Sequence, residues 1–311
     1  MKNYWDCFNF MPELPEVETI RRDLAKKILD KKIKDIFVLD KRTLTPVRHR
    51  SDIRQMSNGA RRFKKILIGK SFVGIERRGK LLIFKLNTNK FLLVHLKMTG
   101  QLIYEKKGNS KKQSEIIVGG HEDKNFKQVD KYARVVFEFE DSSKLYFNDL
   151  RIFGYLKIIN EKELEKVKEG FGVEPLSPAM SPAKSMAMFK NKKTTIKAFL
   201  LNQKNIAGIG NIYTDEICFA CGILPTRKVN TLNKKEIELI LKNTKKILKL
   251  AIEKRGTTFN NYRDSNGNKG NFVSFLKVYG RQGQKCQKCG GEIKKIKVAG
   301  RGTHYCPVCQ S

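Results

Sequence analysis

The sequence predicts an α+β protein of more than one domain, with an antiparallel β domain first, a helical domain after it and a small ribbon at the end. Three observations carry this. Short apolar runs separated by polar turns fill residues 81–148, helical periodicity takes over after Pro182, and the last four cysteines form two CxxC pairs. A chain of 311 residues is expected to form about two domains, and 40% hydrophobic residues are enough for real cores.

Following Pro15, Val17, Ile20, Leu24 and Ile28 recur at three- and four-residue steps. With Glu16 and Glu18 early and Lys26 and Lys27 late, the charges match the macrodipole of an amphipathic helix. Strands are predicted at Leu81–Leu86 and Phe91–Leu96, and again at Arg134–Glu140 and Leu145–Asn148. Turns such as Asp141-Ser142-Ser143-Lys144 make these antiparallel hairpins. The Lys-, Gly-, Ser- and Asn-rich stretch from Lys106 to Asp130 reads as a surface loop. Gly170, Gly172, Pro175, Pro178 and Pro182 punctuate a linker. Beyond it, Ile237, Ile240, Leu241, Thr244, Ile247, Leu248 and Ala251 trace one face of a long helix, and a Gly- and Asn-rich loop from Gly256 to Asn271 leads to the ribbon.

Cys286, Cys289, Cys306 and Cys309 form CxxC, sixteen residues, CxxC. Each pair can grip one ion from a tight knuckle, and four thiolates complete the tetrahedron that Zn²⁺ accepts. Two disulfides are the alternative; seven cysteines and the lack of an export signal favour a reducing compartment and the metal. Gly290, Gly291, Gly300 and Gly302 supply turns for a ribbon whose stability would come mostly from zinc. Cys218 and Cys221 lie in an apolar helical stretch and read as buried small hydrophobes.

Sixty-four Lys and Arg against 31 Asp and Glu leave a formal charge of +33. A folded protein this basic is expected to meet nucleic-acid phosphates, although a lysine-rich surface accounts for part of the excess. No run approaches the roughly 18 apolar residues of a membrane span, so a soluble, intracellular protein is expected. No heptad or apolar stripe suggests a partner, and a monomer is expected.

Six motifs carry a resemblance. Met11-Pro12-Glu13-Leu14-Pro15-Glu16-Val17-Glu18-Thr19 is followed by Arg77-Arg78-Gly79-Lys80, His95-Leu96-Lys97-Met98-Thr99-Gly100 and Asn148-Asp149-Leu150-Arg151-Ile152-Phe153-Gly154. Asn202-Gln203 through Gly208-Ile209-Gly210-Asn211-Ile212-Tyr213 and the cysteine knuckles complete the set. In this order, from Met11 to Gln310, the chain resembles the formamidopyrimidine-DNA glycosylase family.

That resemblance implies an N-terminal antiparallel β-sandwich with flanking helices over 12–160, a helix-two-turn-helix domain over 175–270 and a zinc-ribbon finger over 276–311. Residues 1–11 would then be an extension ahead of the family's usual start. It also implies removal of oxidised purines from duplex DNA, then strand cleavage by β- and δ-elimination. Pro12 matches the nucleophilic N-terminal proline, Glu13 the catalytic acid, Lys80 the hairpin lysine and Arg301 the zinc-finger arginine. Met98, Arg151 and Phe153 match the residues that fill the gap left by an extruded nucleotide. Lys192, Lys197 and Asn211 match DNA-contacting positions, with the N–H groups opening the helix at Asn211 expected to bind phosphate. The Thr257–Asn271 stretch resembles a loop that covers the extruded base.

Three departures stand out. An internal proline nitrogen is an amide and cannot attack, so the ten residues before Met11 imply a start at Met11, a cleaved extension, or a chain without lyase chemistry; a start at Met11 is favoured. Asn202 stands where Asp is common, and Tyr132 where a DNA-contacting His is frequent. Leu14 and Val17 fit the oxidised-purine branch better than the related endonuclease VIII branch for oxidised pyrimidines, which typically has Gly in place of Leu14. A non-catalytic binder of damaged DNA is the remaining alternative if Pro12 stays internal.

Overall fold

The computed structural model describes residues 11–44, 52–106, 115–120, 131–257 and 272–311. The expected extension with Cys7, most of the loop before Asp130, and the covering loop beyond Thr257 lie outside the described residues. Backbone contacts divide the chain into two compact units. Of the described residues, the first holds those within Glu16–Lys168 with 11–12 and Thr257, and the second Glu13–Pro15, Glu169–Gly256 and 272–311.

In the first unit, helix α1 (Leu14–Ile28) buries Val17, Ile20, Leu24 and Ile28, the predicted face. Strand β1 (Ile33–Val38) and helix α2 (Asp52–Leu67) follow. Then come β2 (Phe72–Arg78), β3 (Leu81–Leu86), β4 (Lys90–His95), β5 (Gly100–Lys106), β6 (Glu115–Gly120), β7 (Ala133–Phe139), β8 (Lys144–Asp149) and β9 (Tyr155–Asn160). They form a five-stranded sheet ordered β1-β7-β8-β5-β6 and a four-stranded sheet ordered β2-β3-β4-β9, antiparallel throughout. Alternate residues of each sheet share one core: Leu102, Tyr104, Val135, Phe137 and Phe139 from the first, Leu82, Phe84, Leu86, Leu92 and Val94 from the second. Ile20 and Leu24 of α1 and Phe63 and Leu67 of α2 enter the same core, so the unit is a β-sandwich with flanking helices.

One expectation is corrected. The predicted loop from Lys106 to Asp130 contains β6, paired with β5 from Lys106↔Glu115 to Gln101↔Gly120. The β-branched run Ile116-Ile117-Val118 is short and surrounded by loop-forming residues, and the unpaired edge of β5 supplies its hydrogen-bonding partner.

Helix α3 (Glu161–Glu169) precedes α4 (Pro182–Phe189), α5 (Ile196–Leu201), α6 (Asn211–Cys221) and α7 (Lys234–Glu253). A capping box between Asn233 and Glu236 starts α7, which buries Ile237, Ile240, Leu241, Thr244, Leu248 and Ala251 and leaves Lys242, Lys246 and Lys249 exposed. Cys218 is buried on α6, and burial pushes the Cys221 thiol up to about 11 and that of Cys218 well up too, as suits inert apolar side chains. The terminal ribbon pairs β10 (Lys294–Val298) with β11 (Arg301–Tyr305). Its two-residue turn places Ala299 and Gly300 at φ 50° and 73°, the left-handed pair that a type I′ hairpin needs. Among the described residues no helix is long and apolar enough to cross a membrane.

One carboxylate among three arginines ties α1 to β2. Glu18 accepts hydrogen bonds from Arg21 at 2.8 Å, Arg22 at 2.8 Å and Arg77 at 3.2 Å, and Arg77 also donates to the Gly79 carbonyl at 2.9 Å. Burial alone would raise the Glu18 carboxyl, but the hydrogen bonds and charges of these arginines hold it down at about 2. Because the folded value lies below the ordinary 4.5, this stabilisation is complete above that pH and is lost as pH falls toward 2. Glu18→Gln is expected to lower the urea midpoint at pH 7 and to flatten the midpoint's decline between pH 4.5 and 2 relative to the parent protein.

Candidate nucleic-acid interface and metal centre

Within the first unit, Lys80 occupies the two-residue turn between β2 and β3. Gly79 precedes it at φ 58°, the first position that a type II′ turn reserves for glycine. Lys80 is 6% exposed. Across the same sheet, His95 Nδ1 accepts from Lys97 N at 3.0 Å. Burial, then the charges of Lys97 and Lys80, push the imidazole down to about 3, so it stays neutral at physiological pH.

Met98, Arg151 and Phe153 come together although they arise from different loops. The Arg151 guanidinium lies 4.5 Å from the centre of the Phe153 ring, and its Nη1 lies 3.7 Å from Met98 Sδ. Phe153 is 49% exposed, so an apolar wedge and a cation face outward together. Tyr132 is half-buried on the approach to β7, where its carbonyl accepts from Asp149 N at 3.0 Å.

Within the second unit, Glu13 is nearly fully buried and binds the start of α6. Its Oε2 accepts from Gly210 N at 2.6 Å and its Oε1 from Ile212 N at 2.9 Å. The predicted anion site at this helix N-terminus is therefore filled, for these two N–H groups, by the chain's own carboxylate instead of by DNA phosphate. The next residue continues the link: Leu14 N donates to Gly208 O at 3.0 Å. Gly208 has φ 89°, and a Cβ there would lie 2.7 Å from Leu14 Cβ, so glycine is required twice over. Gln203 ties the loop by donating to Leu201 O and Ile209 O at 2.9 and 2.8 Å and accepting from Gly208 N at 2.8 Å.

Lys197 is the main correction. Predicted to meet DNA, it is fully buried, with Nζ 2.6 Å from Asp215 Oδ1 and 3.2 Å from Gly302 O. The apolar helix around it leaves an ammonium only one way to be accommodated, by a carboxylate on the facing helix. Asn211 Nδ2 donates to the same Gly302 carbonyl at 3.0 Å, and Asp215 Oδ2 accepts from His304 N at 2.8 Å. Gly302 follows Arg301, which is exposed at the hairpin tip. Lys197 and Asn211 thus grip the strand that carries Arg301. Lys192, three residues before the α5 N-cap, is exposed.

The sequence reading did not single out Asp215 and Glu216. Glu216 is buried and accepts from Lys277, Val278 and Tyr279 N–H groups at 2.9, 3.0 and 2.9 Å, anchoring the segment that leads to the ribbon. The available signal was two adjacent acids inside an otherwise apolar helix, a pattern that demands internal partners.

The four cysteine Sγ atoms lie within 4.8 Å of one another, with Cys286 to Cys309 at 3.9 Å and Cys289 to Cys306 at 3.5 Å. These separations exclude disulfides, whose sulfurs bond at about 2 Å. They suit a tetrahedron of Zn–S bonds near 2.3 Å, which spaces sulfurs about 3.8 Å apart. Lys288 N, within the first knuckle, approaches Cys286 Sγ at 3.4 Å, and Gln310 Oε1, just beyond the second, accepts from Cys306 N at 2.8 Å. One structural zinc fits this set.

Family models match three consecutive parts of the chain: the formamidopyrimidine-DNA glycosylase N-terminal domain at residues 11–156, its H2TH domain at 171–262, and a zinc finger found in FPG and IleRS at 283–311. The formamidopyrimidine-DNA glycosylase of Listeria innocua is 37% identical over 303 residues, covering 96% of this chain and 100% of the relative. That of Carboxydothermus hydrogenoformans is 38% identical over 300 residues with the same coverage. A Lactococcus lactis FPG mutant solved with a Fapy-dG containing DNA is similar with a TM-score of 0.80 at 33% identity, covering 96% of this chain and 100% of that one. The L. lactis Fpg complex with abasic site containing DNA gives 0.79 at 33% identity, with 96% and 99% covered. The chain belongs to the formamidopyrimidine-DNA glycosylase family.

Lys197→Ala strands a buried carboxylate and should cost about 3–5 kcal/mol of stability in the second unit. Because the ammonium is internal, the slope of log affinity against log salt for undamaged duplex should stay unchanged, whereas Lys192→Ala should reduce it by about one ion. Metal analysis should return one zinc per chain, and Cys306→Ala or chelation should abolish specific DNA binding in a gel-shift titration.

Proposed function

We propose that this protein is a base-excision-repair DNA glycosylase and abasic-site lyase that removes oxidised purines, 8-oxo-guanine and formamidopyrimidines, from duplex DNA. The observation that carries the reading is the outward-facing cluster of Met98, Arg151 and Phe153, a wedge with a cation at its edge, in a chain whose full-length relatives are formamidopyrimidine-DNA glycosylases. The wedge fills the gap in the duplex while the damaged nucleotide is extruded, and Arg151 hydrogen-bonds the orphaned partner base.

In the proposed chemistry the active form begins at Pro12. Its secondary amine has a pKa near that of other α-amino groups, roughly 8, so an appreciable fraction is unprotonated at neutral pH. The nitrogen lone pair attacks C1′, the bond to the damaged base breaks, and the base leaves with a proton. Glu13, held by two N–H groups beside the nucleophile, protonates the sugar ring oxygen as the ring opens to a cationic imine. The imine acidifies the C2′ proton; its removal expels the 3′ phosphate, and a second elimination expels the 5′ phosphate. Lys80 moves the proton in the first elimination, and Arg301 binds the phosphate in the second. Zinc, when bound, supplies no reacting group; it stiffens the hairpin that presents Arg301. Tyr132, Lys192 and Asn211 serve the DNA backbone, and the protein acts as a monomer in the cytosol or nucleoid.

Borohydride trapping tests this with two starts, Met1 and Pro12, and two duplexes, 8-oxo-guanine opposite cytosine and thymine glycol. Adduct is expected with the Pro12 start on the first duplex only, and Pro12→Gly should lower it. Comparable adduct on thymine glycol would transfer the protein to the oxidised-pyrimidine class, and adduct from a species that retains Met1 by intact mass would refute the role of Pro12.

A further inference from the structure

We propose that Asp149 is a positioning residue for nucleotide extrusion, one buried carboxylate that fastens both loops bearing Met98, Arg151 and Phe153. The proposal rests on the functional reading above, in which those three side chains fill the vacated space.

Asp149 ends β8 and is fully buried. Its Oδ1 accepts from the Thr99 hydroxyl and from Arg151 N at 3.2 Å, and its Oδ2 accepts from Gly154 N at 2.7 Å. The Thr99 oxygen in turn accepts from Arg151 N at 3.1 Å. Thr99 follows Met98, and Arg151 and Gly154 bracket Ile152 and Phe153, so every wedge residue lies within one position of a group bonded to this carboxylate or to Thr99. Its own carbonyl is held by Arg134 Nε at 2.7 Å, which fixes the carboxylate's origin.

The loop being held would not adopt this shape unaided. Ile152, a β-branched residue, has φ 56°, and such residues are strongly disfavoured in the left-handed region. Gly154 is packed so closely that a Cβ would lie 2.8 Å from Phe147 Cζ and 2.9 Å from the His95 carbonyl. Bonds on either side of Ile152, to one carboxylate with no exposure to water, offset that strain. The result is a wedge assembled before DNA arrives, with the Arg151 guanidinium already over Phe153 and against Met98. Three side chains of this length would otherwise have to be ordered at the moment of extrusion, when their lost freedom would slow the step. Asp149 touches neither the sugar nor the base in this scheme. Its effect passes through the loops.

The experiment is stopped-flow fluorescence of 2-aminopurine beside 8-oxo-guanine in a duplex, with single-turnover excision of the same lesion and cleavage of a preformed abasic duplex. Thr99→Val and Asp149→Asn are expected to slow extrusion and excision by about tenfold, with abasic cleavage and Tm altered far less and Thr99→Ser restoring parental rates. Thr99→Val keeps the carboxylate and guards against an Asp149→Asn protein that does not fold. Parental extrusion in Thr99→Val would overturn the proposal, as would an equal loss on both duplexes that Thr99→Ser fails to restore. A parent protein inert on 8-oxo-guanine would overturn the functional reading and this inference with it, an outcome distinct from a parental Thr99→Val.

Discussion

The second unit depends on what happens at the N-terminus of α6. A helix start exposes unsatisfied N–H groups and a positive dipole end, and here Glu13 supplies the answering carboxylate across 197 residues of sequence. The neighbouring contacts follow from that placement. Leu14 can donate to Gly208 only because Gly208 lacks a side chain, and Gln203 closes the same turn from the other side. One turn further along α6, Asp215 and Glu216 hold the cysteine ribbon and the segment leading to it through His304 and residues 277–279. A single helix therefore fixes the residue next to the proposed nucleophile and the ribbon that presents Arg301.

This arrangement divides the large positive charge into two kinds of work. Lys197 is an internal strut, neutralised by Asp215 and bonded to the Gly302 carbonyl, and it adds no field at the surface. Arg21 and Arg77 are likewise part-buried on Glu18, and Arg77 also braces the turn holding Lys80 through the Gly79 carbonyl. Exposed groups such as Lys192, Lys242, Lys246 and Lys249 remain to set the positive field at the surface. The +33 total thus overstates the charge that DNA meets and understates how much of it organises the protein.

Much of the fold was legible because periodicity and burial share a cause. The α1 stripe from Val17 to Ile28, the hairpins around residues 81–96 and 133–149, and the α7 face all put alternate or every third or fourth residue against a core. The cysteine spacing was equally direct, since two knuckles suffice to close one tetrahedron. What escaped reading were the partners of buried charge. Lys197 looks like any other lysine in a basic stretch, and only the position of Asp215, eighteen residues away on another helix, decides that it turns inward. Strand β6 escaped for a related reason: a run of three β-branched residues acquires a structure only when the edge of β5 is available. The start of α6 reads in the sequence as a phosphate site, but sequence alone could not say that the carboxylate of Glu13 would take the Gly210 and Ile212 N–H groups.

The long reach of the Glu13 contact also sets a timetable. Ribosomes add roughly 5–20 residues per second, so tens of seconds can separate synthesis of Glu13 from that of Gly210. Through that interval the segment beginning at Pro12 has no helix to receive it. A nascent or truncated chain can complete the sheets of the first unit and still lack a fixed amino end, because the groups that fix it have not been made. On the mechanism proposed above, the reactive end is positioned by groups in the last third of the chain, and it becomes competent only when the rest of the molecule is there to control it.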